Sequence, residues 1–238
     1  MKVYKVLKRG MSHADFCEDA IWGAEWRDLY VGIVSDGCSS GEDSYFASAL
    51  TVKLFRLALR KFDTEANLPP IKNLGPALVE EFYRQFKTVR QTLDLSLHEV
   101  LATALFLIVN PASKEAWILA IGDGLWAING DWVEIDQNNT PHYPAYDLQD
   151  RKFDAYAMAD SKSNFYDNVS DVAVSTDGVM SFIQEFATMP TSVSPRNYLL
   201  IDKSLSHVNQ MLVRKFNILK TQYGFSPQDD VGIIRIIF

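Results

Sequence analysis

The stretch LYVGIVSDGCSSGEDS, residues 29–44, decides how this chain is read. Its first seven residues are apolar or small without a break, the pattern of a strand covered on both faces. The run ends on Asp36-Gly37, and a different period then begins. Phe46, Ala49, Leu50, Leu54, Phe55, Leu57 and Ala58 fall on one stripe, which predicts an amphipathic helix over about 44–62. An aspartate carried to the tip of a buried strand and followed by a helix is not a two-residue hairpin. Ser39, Ser40 or Asp43 is expected to cap that helix; contact of this loop with a partner is the other reading.

Working outward, residues 2–8 alternate as a short strand, and DAIWGAEW precedes the opening stretch as another. After the stop signal NLPP at 67–70, a second helix is expected from Pro76 to about Thr92, with Pro76 in its first turn. VLATALFLIVN and EAWILAIGDGLWAIN are two β-rich runs joined at NPASK, and Asn129-Gly130 marks a further hairpin. Residues 136–168 are polar, with scattered aromatics, and read as a loop or flap. DVAVSTDG is a strand, VMSFIQEF the start of a helix, 198–220 a further helix and DDVGIIRIIF a closing strand. Grouped strands and grouped helices, without strict βαβ alternation, predict an α+β fold of sheet packed on sheet with helices outside.

The 238 residues are 47% hydrophobic, which suits one domain over 1–238. The net charge is −7 and no long Lys/Arg cluster occurs, so nucleic acid is not an expected partner. No run approaches the 18 or more apolar residues of a membrane span, and the start MKVYKVLKRG lacks the apolar core of a signal peptide. A cytoplasmic chain with no membrane partner is the expectation. Two cysteines, Cys17 and Cys38, imply no disulfide framework.

Four acidic sites lie at strand margins: Asp36-Gly37, Asp123-Gly124, Asp177-Gly178 and Asp229-Asp230. Glu18-Asp19 is a fifth. Asp-Gly is an ordinary turn dipeptide, and any one of these alone reads as a turn. Collected at one edge of a sandwich, the same carboxylates would suit Mg²⁺ or Mn²⁺, hard cations that take oxygen ligands. The residues alone leave both readings open.

The order of these motifs resembles the metal-dependent serine/threonine protein phosphatases of the type 2C, or PPM, family. CEDAIWGAEW is similar to that family's Glu-Asp-Ala motif, VGIVSDG to its metal-binding strand end, and AWILAIGDGLWAI to its Gly-Asp-Ser segment. VAVSTDGVMSF is similar to its Ser-Asp-Gly strand end and QDDVGIIRIIF to its closing strand. The resemblance is collinear from about residue 10. It implies a four-layer αββα sandwich with two Mn²⁺ or Mg²⁺ ions between the sheets, hydrolysing phosphate esters of a phosphorylated protein; it names no partner kinase. By the same resemblance, Asp36 would bridge the ions, Gly37 would give its carbonyl, and Asp177 and Asp229 would hold one ion. Asp230 is the neighbour one position away from Asp229. Glu18 and Asp19 would meet metal-bound waters, and Asp123 would match a third-metal aspartate.

Four positions depart from the family pattern. Ala14 stands where a phosphate-gripping arginine is usual, with His13 beside it. Cys38 stands where some members have a histidine, Ser181 where an aspartate helps a third metal, and Gly232 where Thr or Ser is usual. These put phosphate binding, proton donation and the third ion in question. They also motivate two other functions: a binding module that has lost turnover, or a phosphatase of a small phosphorylated metabolite. His13 reads either as a phosphate contact or as a surface histidine. Cys17 and Cys38 read either as a redox pair at the site or as small buried hydrophobes. His98, His142 and His207 show no ligand spacing. Trp117, Trp126 and Trp132 are expected to pack sheet against helix or sheet against sheet.

Overall fold

The strand of the opening stretch is covered on both faces, and the structure shows by what. The computed structural model describes residues 1–138, 140–186 and 192–238. In β3 (Leu29–Ser35) every residue is buried. Val31 and Ile33 face a helical layer, while Tyr30 and Val34 face a second sheet. β4 (Ala104–Asn110) repeats the division, with Phe106 and Ile108 on the helix side and Leu105, Leu107 and Val109 on the sheet side. Two-sided cover is why these strands read as continuous apolar runs rather than as alternation.

Among the described residues there are two five-stranded antiparallel sheets. One runs β2 (Ala20–Trp26), β3, β4, β5 (Glu115–Ile121) and β8 (Asn164–Tyr166). The other runs β1 (Lys2–Lys8), β12 (Val231–Ile237), β9 (Asp171–Ser175), β6 (Gly124–Ile128) and β7 (Asp131–Ile135). α1 (Ser44–Leu59) and α2 (Ile71–Thr92) cover the first sheet, together with α4 (Ala155–Lys162). α5 (Pro195–Leu200) and α6 (Met211–Tyr223) cover the second. The expected four-layer αββα sandwich is the observed one.

The chain passes from one sheet to the other at Gly122-Asp123-Gly124. Gly122 has φ +96° and Gly124 φ +145°, backbone that L side chains rarely adopt. The single β-rich run EAWILAIGDGLWAIN is therefore two strands in two layers. Asn129 (φ 54°) and Gly130 (φ 102°) form the β6–β7 hairpin, as expected of Asn-Gly.

Several expectations are corrected. α2 begins at Ile71, not Pro76. Pro76 is the sixth residue of this helix and has no N–H to donate to the Lys72 carbonyl, so one helix bond is missing there. The preceding Gly75 lets the indole of Trp117 lie against the helix, where a Cβ would collide with the ring. VMSFIQEF forms no helix: a 3₁₀ turn (Asp177–Met180) leads into β10 (Phe182–Gln184), which pairs with β11 (Phe225–Pro227). The helix expected over 198–220 is two helices, α5 and α6, joined by turns. Segment 136–168 carries α3 (Pro144–Asp147), α4 and β8, the last paired with β5. No side-chain cap is made by Asp43 at the start of α1; Ser39 instead donates to Glu18 Oε2 at 2.6 Å. Trp117 and Trp126 are buried as expected, but Trp132 is 37% exposed on the edge strand β7.

A feature absent from the sequence reading anchors the second sheet. Arg235 of β12 is fully buried and pairs with Asp171 of β9 through Nε–Oδ1 (3.0 Å) and Nη2–Oδ2 (2.7 Å). Its other donors reach the carbonyls of Leu199, Ile201 and Asp202 at 2.7–2.9 Å. The guanidinium is thus fully satisfied, the condition under which a buried charge is tolerated.

Candidate metal centre

Strand register collects the acidic sites at one end of the sandwich. Ala20 stands opposite Ser35, Ala104 opposite Ile121, and Ser175 opposite both Leu125 and Ile233. Asp19, Asp36, Asp123 and Asp177 are one or two residues beyond those pairs, and Asp229 is two residues before Val231, which stands opposite Lys8. Their mutual repulsion is marked. Burial, then the charges of Asp19, Asp177 and Asp229, hold Asp36 well above the usual carboxylate range. Burial pushes Asp19 up to about 8 against the hydrogen bond it accepts from Thr176, and Asp230 and Asp177 add to the rise. Asp177 is raised to about 6 by burial and by Asp123 and Asp229. Burial also raises Asp123, with Asp136 adding to it.

The scaffold around them is polar and specific. Thr103 N–H donates to the Asp36 carbonyl (2.8 Å), and Asp36 N–H donates to Thr103 Oγ1 (3.0 Å). Thr176 Oγ1 donates to Asp19 Oδ2 (2.7 Å) and accepts from Gly232 N–H (2.9 Å), linking the two sheets. Gly232 leaves room for this link, where the family pattern has Thr or Ser. The role of Thr176 was not read from the sequence; the signal was a hydroxyl between an apolar strand and Asp177. Gly37 N–H donates to the Glu18 carbonyl (3.2 Å). Gly178 lies so close to the Asp230 carbonyl oxygen that a Cβ would collide with it, which pins the Asp177 turn onto the closing strand.

Asp229 and Asp230 now separate. Asp230 is 1% exposed and its oxygens accept from Gly10 N–H (2.6 Å) and Glu18 N–H. His13 Nδ1 lies 2.9 Å from Asp230 Oδ2, and its Nε2 lies 3.6 Å from Asp229 and 3.8 Å from Glu18. Asp230 is thereby a clamp on the 10–18 loop. Asp229 lines a cavity of about 310 Å³ together with Asp123, Glu134, Asp136 and Asp177. His13 is mostly covered rather than a plain surface histidine. Burial opposes its charge, but Asp230, Glu18 and Asp229 outweigh that and raise its pKa. Ser181 spends its hydroxyl on the Gly178 carbonyl (2.7 Å) and accepts from Asp229 N–H (2.9 Å). Cys17 and Cys38 are free thiols, and burial followed by the charges of Asp230 and Asp19 pushes Cys17 up to about 12, which makes it a poor nucleophile.

Among the described residues no three His, Cys, Asp or Glu side chains already stand as a metal shell. The donor chemistry nevertheless fits a hard divalent cation. The clustered groups are oxygen donors, no Lys or Arg lines the cavity, and Asp19 Oδ1 is buried without a hydrogen-bond partner.

Comparison with known proteins agrees with this architecture. The protein phosphatase 2C family profile matches residues 7–214, and the chain belongs to that family. The match takes in Glu18, Asp19, Asp36, Gly37, Asp123 and Asp177 and stops short of Asp229. No curated protein sequence matches significantly. A mutated bacterial serine phosphatase superposes with a TM-score of 0.64 at 13% identity, over 100% of this chain and 98% of that one. Serine/threonine phosphatase Stp1 from Staphylococcus aureus gives 0.63 at 12% identity, over 99% and 94%. RsbX in complex with magnesium gives 0.54 at 15% identity, over 98% and 92%. At these identities the likeness is one of fold. Among the described residues no helix is long and apolar enough to cross a membrane.

Proposed function

We propose that this chain, as a single domain over 1–238, is a cytoplasmic metal-dependent phosphomonoesterase whose substrates are phosphoserine and phosphothreonine in proteins. Family membership supports the class. The observation that carries the site is the set of mutually repelling carboxylates at the sheet ends, with the orphaned Asp19 Oδ1 among them. Asp36, Asp177 and Asp229, with the Gly37 carbonyl, would hold two Mn²⁺ or Mg²⁺ ions, and Glu18 and Asp19 would accept hydrogen bonds from waters around them. Asp123 is the residue for a third ion. Ser181 brings no carboxylate to that position, so two ions are the expected content.

Such ions, when bound, supply Lewis acidity and a nucleophilic water at neutral pH. The chain's own part is positioning. Thr103 fixes the backbone of Asp36, Thr176 orients Asp19, and Asp230 holds the loop that presents Glu18. These contacts preorganise the charge that a phosphoryl group meets.

The test is hydrolysis of para-nitrophenyl phosphate and of phosphopeptides in EDTA, Mg²⁺ and Mn²⁺, beside Asp36→Asn. Activity that needs metal and falls at least about 10³-fold in the variant is the expected result. A folded protein silent with every metal would replace this reading with the binding-module one. Preference for sugar phosphates or nucleotides over phosphopeptides would move the substrate class to small metabolites.

A further inference from the structure

The cavity at the sheet ends presents a problem for any phosphate ester. Five carboxylates line it: Asp123, Glu134, Asp136, Asp177 and Asp229. No cationic side chain is among its lining residues, and Ala14 supplies no guanidinium from the N-terminal side. A dianion entering there needs positive charge beyond that of the metals.

One guanidinium is built into the rim. Arg196, the second residue of α5, lies over the indole of Trp132 at 3.5 Å from guanidinium carbon to ring centroid. Its Nη1 is 3.7 Å from the sulfur of Met180, and Met180 is a lining residue of the acidic cavity. Nε donates to Asn197 Oδ1 at 3.1 Å. Among the described residues no carboxylate lies within ion-pair distance of it. The stack on Trp132 fixes the plane of the side chain, so little further ordering is needed when an anion arrives. It also accounts for Trp132, a large aromatic left 37% exposed on an edge strand.

We propose that Arg196, held on the Trp132 ring beside Met180, is the guanidinium that recognises the phosphate of the substrate at the mouth of the acidic cavity. This rests on the phosphatase reading of the same cavity. It places the anion contact on the second sheet's helical layer rather than on the N-terminal loop, where the family pattern has its arginine. A planar guanidinium gives two parallel N–H donors to phosphate oxygens, which a lysine cannot match.

The experiment uses the full-length Mg²⁺-loaded protein and inorganic phosphate as the probe. Phosphate binding is read from tryptophan emission and by calorimetry, and hydrolysis from phosphopeptide kinetics. Wild type is compared with Arg196→Ala, Arg196→Lys and Trp132→Phe. In Arg196→Ala the half-saturating phosphate concentration is expected to rise about tenfold or more. KM for the phosphopeptide should rise with it, by more than kcat falls, while the Mg²⁺ concentration needed for half-activation stays at the wild-type value. Arg196→Lys should fall between, and Trp132→Phe should lose the emission change. Unchanged phosphate affinity and KM in Arg196→Ala would overturn the proposal, as would a wild-type protein that binds no phosphate. Phosphate binding that depends on Arg196 in a protein without turnover would sustain it and overturn the hydrolase reading instead.

Discussion

Asp19 and Asp171 are buried to the same degree, 4% and 3% exposed, yet they live in opposite circumstances. Asp171 meets a guanidinium whose donors are all engaged by it and by three backbone carbonyls. Asp19 meets other acids, one hydroxyl and, at Oδ1, nothing. β9 joins the two regimes, since Asp171 opens it and Asp177 follows its other end. The first pair is internally complete and holds helices to a sheet. The second group is incomplete by one or more positive charges. The proposed metal centre would supply that charge.

The contrast can be broken from either side. The largest expected effect is on the completed pair: Asp171→Ala leaves Arg235 buried without its counter-ion and should cost about 3–5 kcal/mol in urea unfolding. Replacing both residues with apolar ones should recover most of that loss. A near-silent Asp171→Ala would mean that the carbonyls alone satisfy the guanidinium.

The incomplete group should show itself in pH and metal. Carboxyls whose folded pKa is raised bind protons more tightly folded than unfolded, so stability falls as pH rises from the unfolded value, about 4, through the folded one. For Asp19 that window reaches about 8 and for Asp177 about 6. In EDTA the unfolding free energy should therefore fall across pH 4–8, by up to about 1.4 kcal/mol per pH unit for each such carboxyl, and the melting temperature with it. Mn²⁺ should restore it, and the restoration should grow with pH. A flat profile in EDTA would remove the case for carboxylate crowding.

The smallest effect sharpens the rule on a third acid. Glu81 of α2 is 1% exposed and accepts from Arg84 Nε (2.7 Å) and Gln85 Nε2 (2.6 Å), with Lys61 at 3.4 Å. Burial works against its charge, but these partners prevail and lower its pKa. Its contribution is present above the unfolded pKa and is lost as pH falls through the folded one. Glu81→Gln should cost about 1 kcal/mol at neutral pH, measured by denaturant unfolding, and almost nothing well below pH 4.

Much of this was legible because burial on two faces writes itself as an unbroken apolar run. β3, β4 and β12 were readable for that reason, and so was the layer order. Asp-Gly at their tips exposed the acidic edge. What escaped was whatever depends on partners distant in sequence. Nothing local tells that Arg235, within an isoleucine run, meets Asp171, or that Thr176 reaches Asp19. Pro76 read as a helix start because proline favours the first turn, but packing of Gly75 on Trp117 carried the helix further back. VMSFIQEF had helical period, yet pairing with β11 and the Ser181 turn outweighed it. Asp229 and Asp230 are identical in sequence terms, and it is the partners Gly10, His13 and Glu18, all distant in sequence, that distinguish them.

One pairing has a consequence for how the molecule comes into being. β12 lies between β1 and β9, with Lys2 opposite Ile237 and Ile233 opposite Ser175. During synthesis β1 waits for β12, and so does the acidic edge, because Asp229 arrives with it. A nascent chain can bury the helix-covered sheet of β2–β5 early, but it carries an unpaired β1 and an unfinished cavity until residue 237 is free. Such long-range closure slows folding and prolongs exposure of strand edges. Any chemistry at the sheet ends is thus withheld until synthesis has passed that point.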